Sequence, residues 1–229
     1  MNVLNQLEKQ LIVSCQALEE EPLHSSKIMG KMAIAALEGG AKGIRANSVA
    51  DILEIKSLVD LPVIGIIKQE YADSNVYITP TRKEAEALLA AGVDIIAMDA
   101  TNRKRPKNEK LADIIQLVKS QSANVTLMAD ISTVAEAIQA EKLGFDCIST
   151  TLVGYTEATQ GANIADDNFA LLKQMIRSVS IPVIAEGKVD TPLKAVKALE
   201  NGAHFVVVGS AITRPQIITK TFTDALKKG

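Results

Sequence analysis

Two ionisable residues stand where apolar chain is expected. Lys68 closes the run Leu61-Pro62-Val63-Ile64-Gly65-Ile66-Ile67, and Glu186 follows the similar run Ile181-Pro182-Val183-Ile184-Ala185. Runs opened by proline and rich in Val and Ile read as strands buried on both faces. A charge at the end of such a strand is costly unless it is paired or used. A partly desolvated lysine gives up its proton near neutral pH and can act as a base. A carboxylate on another strand can orient or neutralise that lysine, act as an acid, or hold a substrate hydroxyl. Taken alone, Lys68 also reads as a surface lysine after a strand, since Gln69 and Glu70 follow it.

Other polar residues end similar runs: Ser14, Cys15 and Gln16; Arg45; Asp99; Asp130; Thr150 and Thr151; Gly209 and Ser210. A single one reads as a satisfied polar cap. The whole set reads as a lined polar pocket. Ala185-Glu186-Gly187-Lys188 and Val208-Gly209-Ser210-Ala211-Ile212 place glycines where backbone can approach a ligand, and Arg214 lies just beyond. Those features point to a phosphate. Asp99 and Asp130 are candidates for holding a cation, but no His or Cys cluster joins them, so no metal is expected. His204 precedes its strand and His24 falls in a loop, away from the chemistry.

These residues need elements to position them. Strand-like runs at 11–15, 43–46, 63–68, 95–99, 125–130, 147–151, 183–186 and 205–209 alternate with amphipathic stretches such as 132–143 and Pro192–Glu200. Thr133 with Glu136 three residues on is a capping-box signal. Gly40, Gly92, Gly144 and Gly202, spaced by 52, 52 and 58 residues, each end a helix and lead into a strand. Each interval holds two β–α units, so the chain predicts a single (β/α)8 TIM barrel over residues 1–229. An open doubly wound sheet is the alternative, but no Gly-rich turn follows the first strand. Loops after strands are long and loops before them short, which points to the C-terminal rim of the barrel.

Composition narrows the partners. The chain is 47% hydrophobic with no Trp, so the core is aliphatic. A formal charge of −2 gives no clustered basic excess for nucleic acid. Arg103-Lys104-Arg105-Pro106-Lys107 is the one basic run and reads as a solvated loop, with a phosphate partner as the alternative. Cys15 and Cys147 form no disulfide framework. No secretory signal or membrane-length apolar run is visible, so a cytoplasmic protein with reduced thiols and no membrane partner is expected. The apolar last helix (Ile217, Ile218, Phe222, Leu226) packs on its own barrel or on a partner, and a homodimer is the expectation.

The strand-end motifs together resemble one family. Leu11-Ile12-Val13-Ser14-Cys15-Gln16-Ala17, Gly43-Ile44-Arg45-Ala46, Met98-Asp99-Ala100-Thr101, Met128-Ala129-Asp130-Ile131-Ser132 and Thr150-Thr151-Leu152-Val153-Gly154-Tyr155-Thr156 join the Lys68, Glu186 and Gly209 segments in resembling the N-acetylmannosamine-6-phosphate 2-epimerases. Val153 stands where a small residue is expected. The resemblance spans nearly the whole chain. It implies a TIM barrel that interconverts N-acetylmannosamine 6-phosphate and N-acetylglucosamine 6-phosphate during sialic-acid breakdown, with no cofactor. It further implies catalytic Lys68 and Glu186, and a sugar held by Gln16, Arg45, Asp130, Thr151 and Tyr155. The phosphate would lie among Gly187, Lys188, Gly209, Ser210 and Arg214. A Schiff-base aldolase using Lys68 as nucleophile and a binding module without turnover are the competing readings.

Overall fold

The computed structural model describes residues 2–227. Eight parallel strands run in chain order around a ring: β1 (Leu11–Cys15), β2 (Gly43–Asn47), β3 (Val63–Ile66), β4 (Ile95–Asp99), β5 (Thr126–Asp130), β6 (Cys147–Ser149), β7 (Val183–Ile184) and β8 (Val206–Val208). Each pairs with its sequence neighbour, and β8 returns to β1. A single parallel bridge, Ala185 to Val206, closes the barrel between β7 and β8.

Among the described residues ten α-helices accompany the strands: α1 (Val3–Leu7), α2 (Ser26–Glu38), α3 (Val49–Leu58), α4 (Arg82–Ala90), α5 (Leu111–Gln121), α6 (Val134–Leu143), α7 (Asp166–Ser178), α8 (Pro192–Glu200), α9 (Ser210–Thr213) and α10 (Pro215–Leu226). The predicted capping box opens α6: the Glu136 N–H donates to Thr133 Oγ1 at 3.2 Å and the Thr133 N–H to Glu136 Oε2 at 2.9 Å. The four spaced glycines all take positive φ, which ends their helices without a Cβ clash.

The period of two along each strand divides two cores. Outward residues pack against the helices. Inward residues Ile12, Ile64, Ile66, Ile95, Ala97, Met128, Cys147, Ile184 and Val207 fill the barrel, and Leu4 and Leu7 of α1 join them. Continuing the same parity upward gives Ser14 and Gln16 after Ile12, Lys68 after Ile66, Asp130 after Met128, Ser149 and Thr151 after Cys147, and Glu186 after Ile184. The barrel is aliphatic below and polar at its C-terminal rim.

Several predicted strands end early. β3 stops at Ile66 because the chain then pairs with its own loop: Lys68 bridges Ile78 antiparallel, and Thr79 N–H donates to Ile67 O at 2.8 Å. β7 stops at Ile184 because Gly187 and Lys188 turn the chain at φ 86° and 56°. The basic run also departs from expectation. Arg105 is buried, and its guanidinium donates to Pro80 O at 2.8 Å and to Asp99 O. Three carbonyls that no strand satisfies gather there (Thr79, Pro80, Asp99), and a guanidinium can serve them all.

Candidate active site

A cavity of about 450 Å³ opens at the C-terminal rim. Its wall includes Gln16, Arg45, Lys68, Thr151, Tyr155, Glu186, Gly187, Lys188, Gly209, Ser210 and Arg214. Of the polar strand ends nominated from sequence, Cys15, Asp99, Asp130 and Thr150 are not in the wall; all four are buried, and Asp130 lies behind Arg45.

Lys68 is held by its backbone. Its N–H donates to Asn47 Oδ1 at 2.8 Å, and the Lys68–Ile78 bridge fixes it from the other side. Among the described residues its ammonium meets no hydrogen-bond acceptor. Burial, then the charges of Arg45 and Arg214, lower its pKa from 10.5 to about 8. Such an amine is partly free base at neutral pH.

Arg45 crosses the barrel. Its guanidinium donates to Asp130 Oδ1 at 3.1 Å and Oδ2 at 2.5 Å, and to Glu186 Oε2 at 2.9 Å. Burial works against the Arg45 charge, but the two carboxylates outweigh it and keep it protonated. Glu186 is pushed the other way. Burial raises its carboxyl pKa against the pull of Arg45, and the charge of Asp130 adds to the rise. Asp130 accepts a further bond from Thr151 Oγ1 at 2.8 Å. Asp99 pairs with Arg103 at 2.5 Å, so each aspartate proposed for a cation already has a guanidinium. Among the described residues no three His, Cys, Asp or Glu side chains gather as metal ligands.

The glycine-bearing ends of β7 and β8 are adjacent. At Gly187 a Cβ would meet Thr151 O at 3.1 Å, on a backbone already at φ +86°, so glycine is required. Arg214 Nη1 donates to Ser210 Oγ at 2.7 Å. Lys188 points elsewhere: its ammonium donates to Ala162 O at 2.7 Å and lies 5.4 Å from the centre of the Tyr155 ring. Gln16 Nε2 donates to Ser14 Oγ at 2.7 Å.

Three contributors were not singled out from sequence. Tyr77 lines the cavity from the loop that pairs with Lys68. Asn47 follows Arg45 by two, a spacing that strand parity would have marked. Glu21 sits in the run Glu19-Glu20-Glu21-Pro22, where nothing local distinguishes it. Its Oε2 accepts from Arg214 Nη2 at 2.8 Å, and its Oε1 lies 2.5 Å from Arg214 Nε. That Nε is buried and poorly aligned, so the pairing leaves one donor unsatisfied. The histidines behave as expected: His204 contacts Leu4 O at 2.9 Å at the opposite end, and His24 contacts Ala17 O within its loop. Cys15 and Cys147 are buried and unpaired, and burial pushes the Cys15 thiol up to about 12.

Fold and cavity together define a (β/α)8-barrel enzyme that works at the C-terminal ends of its strands. Comparison with known proteins makes this specific. The NanE family model, described as "Putative N-acetylmannosamine-6-phosphate epimerase", matches residues 29–228. A relative from Shouchella clausii, named "Putative N-acetylmannosamine-6-phosphate 2-epimerase", is 63% identical over 98% of this chain and 99% of its own. One from Listeria monocytogenes, with the same name, is 53% identical over 99% and 98%. The solved N-acetylmannosamine-6-phosphate 2-epimerase from Clostridium perfringens superposes with a TM-score of 0.94 at 54% identity, covering 98% of this chain and 96% of that one. The chain belongs to the N-acetylmannosamine-6-phosphate epimerase family.

Proposed function

We propose that this protein interconverts N-acetylmannosamine 6-phosphate and N-acetylglucosamine 6-phosphate by moving a proton at C2, as part of sialic-acid and amino-sugar catabolism. The observation that carries the reading is a lysine of depressed pKa facing the same cavity as Glu186 and a glycine-rich pair of strand ends, in a chain of this family. The sugar ring must open first, because only the aldehyde makes C2–H acidic. Neutral Lys68 then takes the C2 proton, and Glu186 exchanges a proton with the substrate's oxygens. Arg45 is tied to Asp130 and Glu186 through Nη1 and Nη2, and it contributes positive charge beside the developing enolate, with Asp130 fixing its position from behind. Gln16 and Tyr155 contact the sugar, and Thr151, whose hydroxyl donates to Asp130, lines the wall beside them. The backbone at Gly187, Gly209 and Ser210, with Arg214, holds the phosphate and so sets C2 against Lys68. The side chain of Lys188 supports the loop around Tyr155, while its backbone stays at the phosphate end.

The test is turnover of N-acetylmannosamine 6-phosphate in D₂O followed by proton NMR. The product should carry solvent deuterium at C2; product formed with its original proton would refute the reading. The rate should also depend on pH through Lys68. The free amine is the active form, so kcat/KM should rise with pH and level off above about 8. A profile that falls over that range would exclude Lys68 as the base.

We further propose a homodimer. Leu193 and Val196 of α8 and Ile217, Phe222 and Leu226 of α10 are exposed, on the helices that follow β7 and β8. Sedimentation should show a dimer that Phe222→Asp dissociates; a monomeric unsubstituted protein would rule it out. Two unpaired thiols support a cytoplasmic setting. No helix among the described residues is long and apolar enough to cross a membrane.

A further inference from the structure

Four oxygen-bearing side chains lie in line beneath the cavity. Thr151 Oγ1 is 2.8 Å from Asp130 Oδ1, Ser149 Oγ is 2.7 Å from Thr151 Oγ1, and Ser149 Oγ is 3.2 Å from Glu186 Oε2. Each contact needs one hydrogen between its oxygens. An ionised carboxylate accepts only, and each hydroxyl owns a single proton. Ser149 and Thr151 therefore supply two protons for three contacts. If both carboxylates were ionised, one contact would set lone pairs against each other at a distance too short for a water to stand between them. Ser149 and Glu186 are nearly or wholly buried, and Asp130 is fully so.

The missing proton belongs on one of the two carboxyls. Asp130 already accepts from Arg45 at both oxygens, so neither is free to carry the extra proton. Glu186 takes a single bond from Arg45, through Oε2.

We propose that Ser149 and Thr151 link Glu186 to Asp130 in a hydrogen-bonded chain that keeps Glu186 protonated in the resting enzyme. The proposal rests on the epimerase reading for its use but not for its chemistry. With Glu186 as donor to Ser149, Ser149 donates to Thr151 and Thr151 to Asp130, and all three contacts are filled. The groups facing this carboxyl are Arg45 from β2, Asp130 from β5, Ser149 and Thr151 at β6, and Lys68 across the cavity. Burial and Asp130 favour the neutral acid; Arg45 opposes it, as do Thr151 and Ser149 wherever they donate to the carboxylate instead of relaying its proton. In turnover, Lys68 takes the C2 proton as Glu186 gives its proton to the carbonyl oxygen, leaving a neutral enol that bears the acetamido group at C2, a lysine ammonium and a Glu186 carboxylate. Return of a proton to C2 and of the oxygen-bound proton to Glu186 restores the start. Ser149 and Thr151 are thus positioning residues for a proton.

The chain can be tested without turnover. Protein labelled with ¹³C at glutamate carboxyls, with Glu186→Gln to assign the signal, should show Glu186 neutral at a pH where exposed glutamates have ionised. In Thr151→Val, Ser149 is freed to donate to Glu186, so the Glu186 midpoint should move down. Ser149→Ala should move it in the same direction. At pH 7 Thr151→Val should lower kcat about tenfold with KM little changed. A Glu186 signal titrating with the exposed glutamates would overturn the proposal, as would an unmoved midpoint in both variants. A Thr151→Val effect on KM alone would assign Thr151 to sugar contact instead, against the chain. The epimerase reading fails separately, by absence of deuterium at C2.

Discussion

Lys68→Met is expected to lower turnover by about 10²–10⁴-fold, the usual worth of a positioned base, while the phosphosugar still binds. Methionine keeps the length and packing of the lysine stem and removes only the amine. The backbone bond to Asn47 Oδ1 and the Ile78 bridge do not involve the side chain, so the loop stays in place. Exchange of the C2 hydrogen with D₂O should be lost in parallel; exchange that survives would place the base elsewhere. A borohydride-trapped adduct on unsubstituted Lys68 would make it a nucleophile and favour the aldolase reading. Stability should move the other way. With a folded pKa of about 8 against an ordinary 10.5, the folded state holds this ammonium at a cost below pH 8. That cost is relieved as pH rises through the window between those values, and removing the amine is expected to stabilise by up to about 3 kcal/mol at neutral pH.

Arg45→Met is expected to be the most destabilising single change at the site, by about 3–5 kcal/mol in urea unfolding. It takes the guanidinium away from both Asp130 and Glu186, whose side chains are nearly or wholly buried. It should also raise the Lys68 pKa, since Arg45 is the nearest cause of its depression after burial. The limb of the pH–rate profile should therefore shift above 8 for whatever activity persists. Replacing the whole trio, Arg45→Met with Asp130→Leu and Glu186→Leu, should recover most of the stability and none of the activity. If Arg45→Met alone proves neutral, the trio is more solvated than its burial implies. If the triple variant is as unstable as the single one, packing rather than charge sets the cost.

How far these residues could be read from the chain varies by residue. Lys68 and Glu186 stood out because a charge interrupts a run of Val and Ile. Gly187 and Gly209 stood out because they end such runs. Tyr77 did not, since a tyrosine in a loop is ordinary, and Asn47 was passed over although it follows Arg45 by two, at the end of β2. Arg105 was misread as solvated because its acceptors are backbone carbonyls, which carry no sequence signature.

Alternation of strand and helix, spaced glycine caps and polar strand ends are local patterns of period and punctuation, and the amino-acid sequence alone determined them. They led to the barrel, its working rim and most of the cavity wall. Partnership was decided only by the tertiary structure. Arg45 meets Asp130 and Glu186 across separations of 85 and 141 residues, and Arg214 meets Glu21 across 193. Whether Lys68 is an ordinary ammonium or a base near pH 8 depends on desolvation and on charges brought in by other strands. Those effects act through space and fall off with distance, so they come into being only when the ring closes.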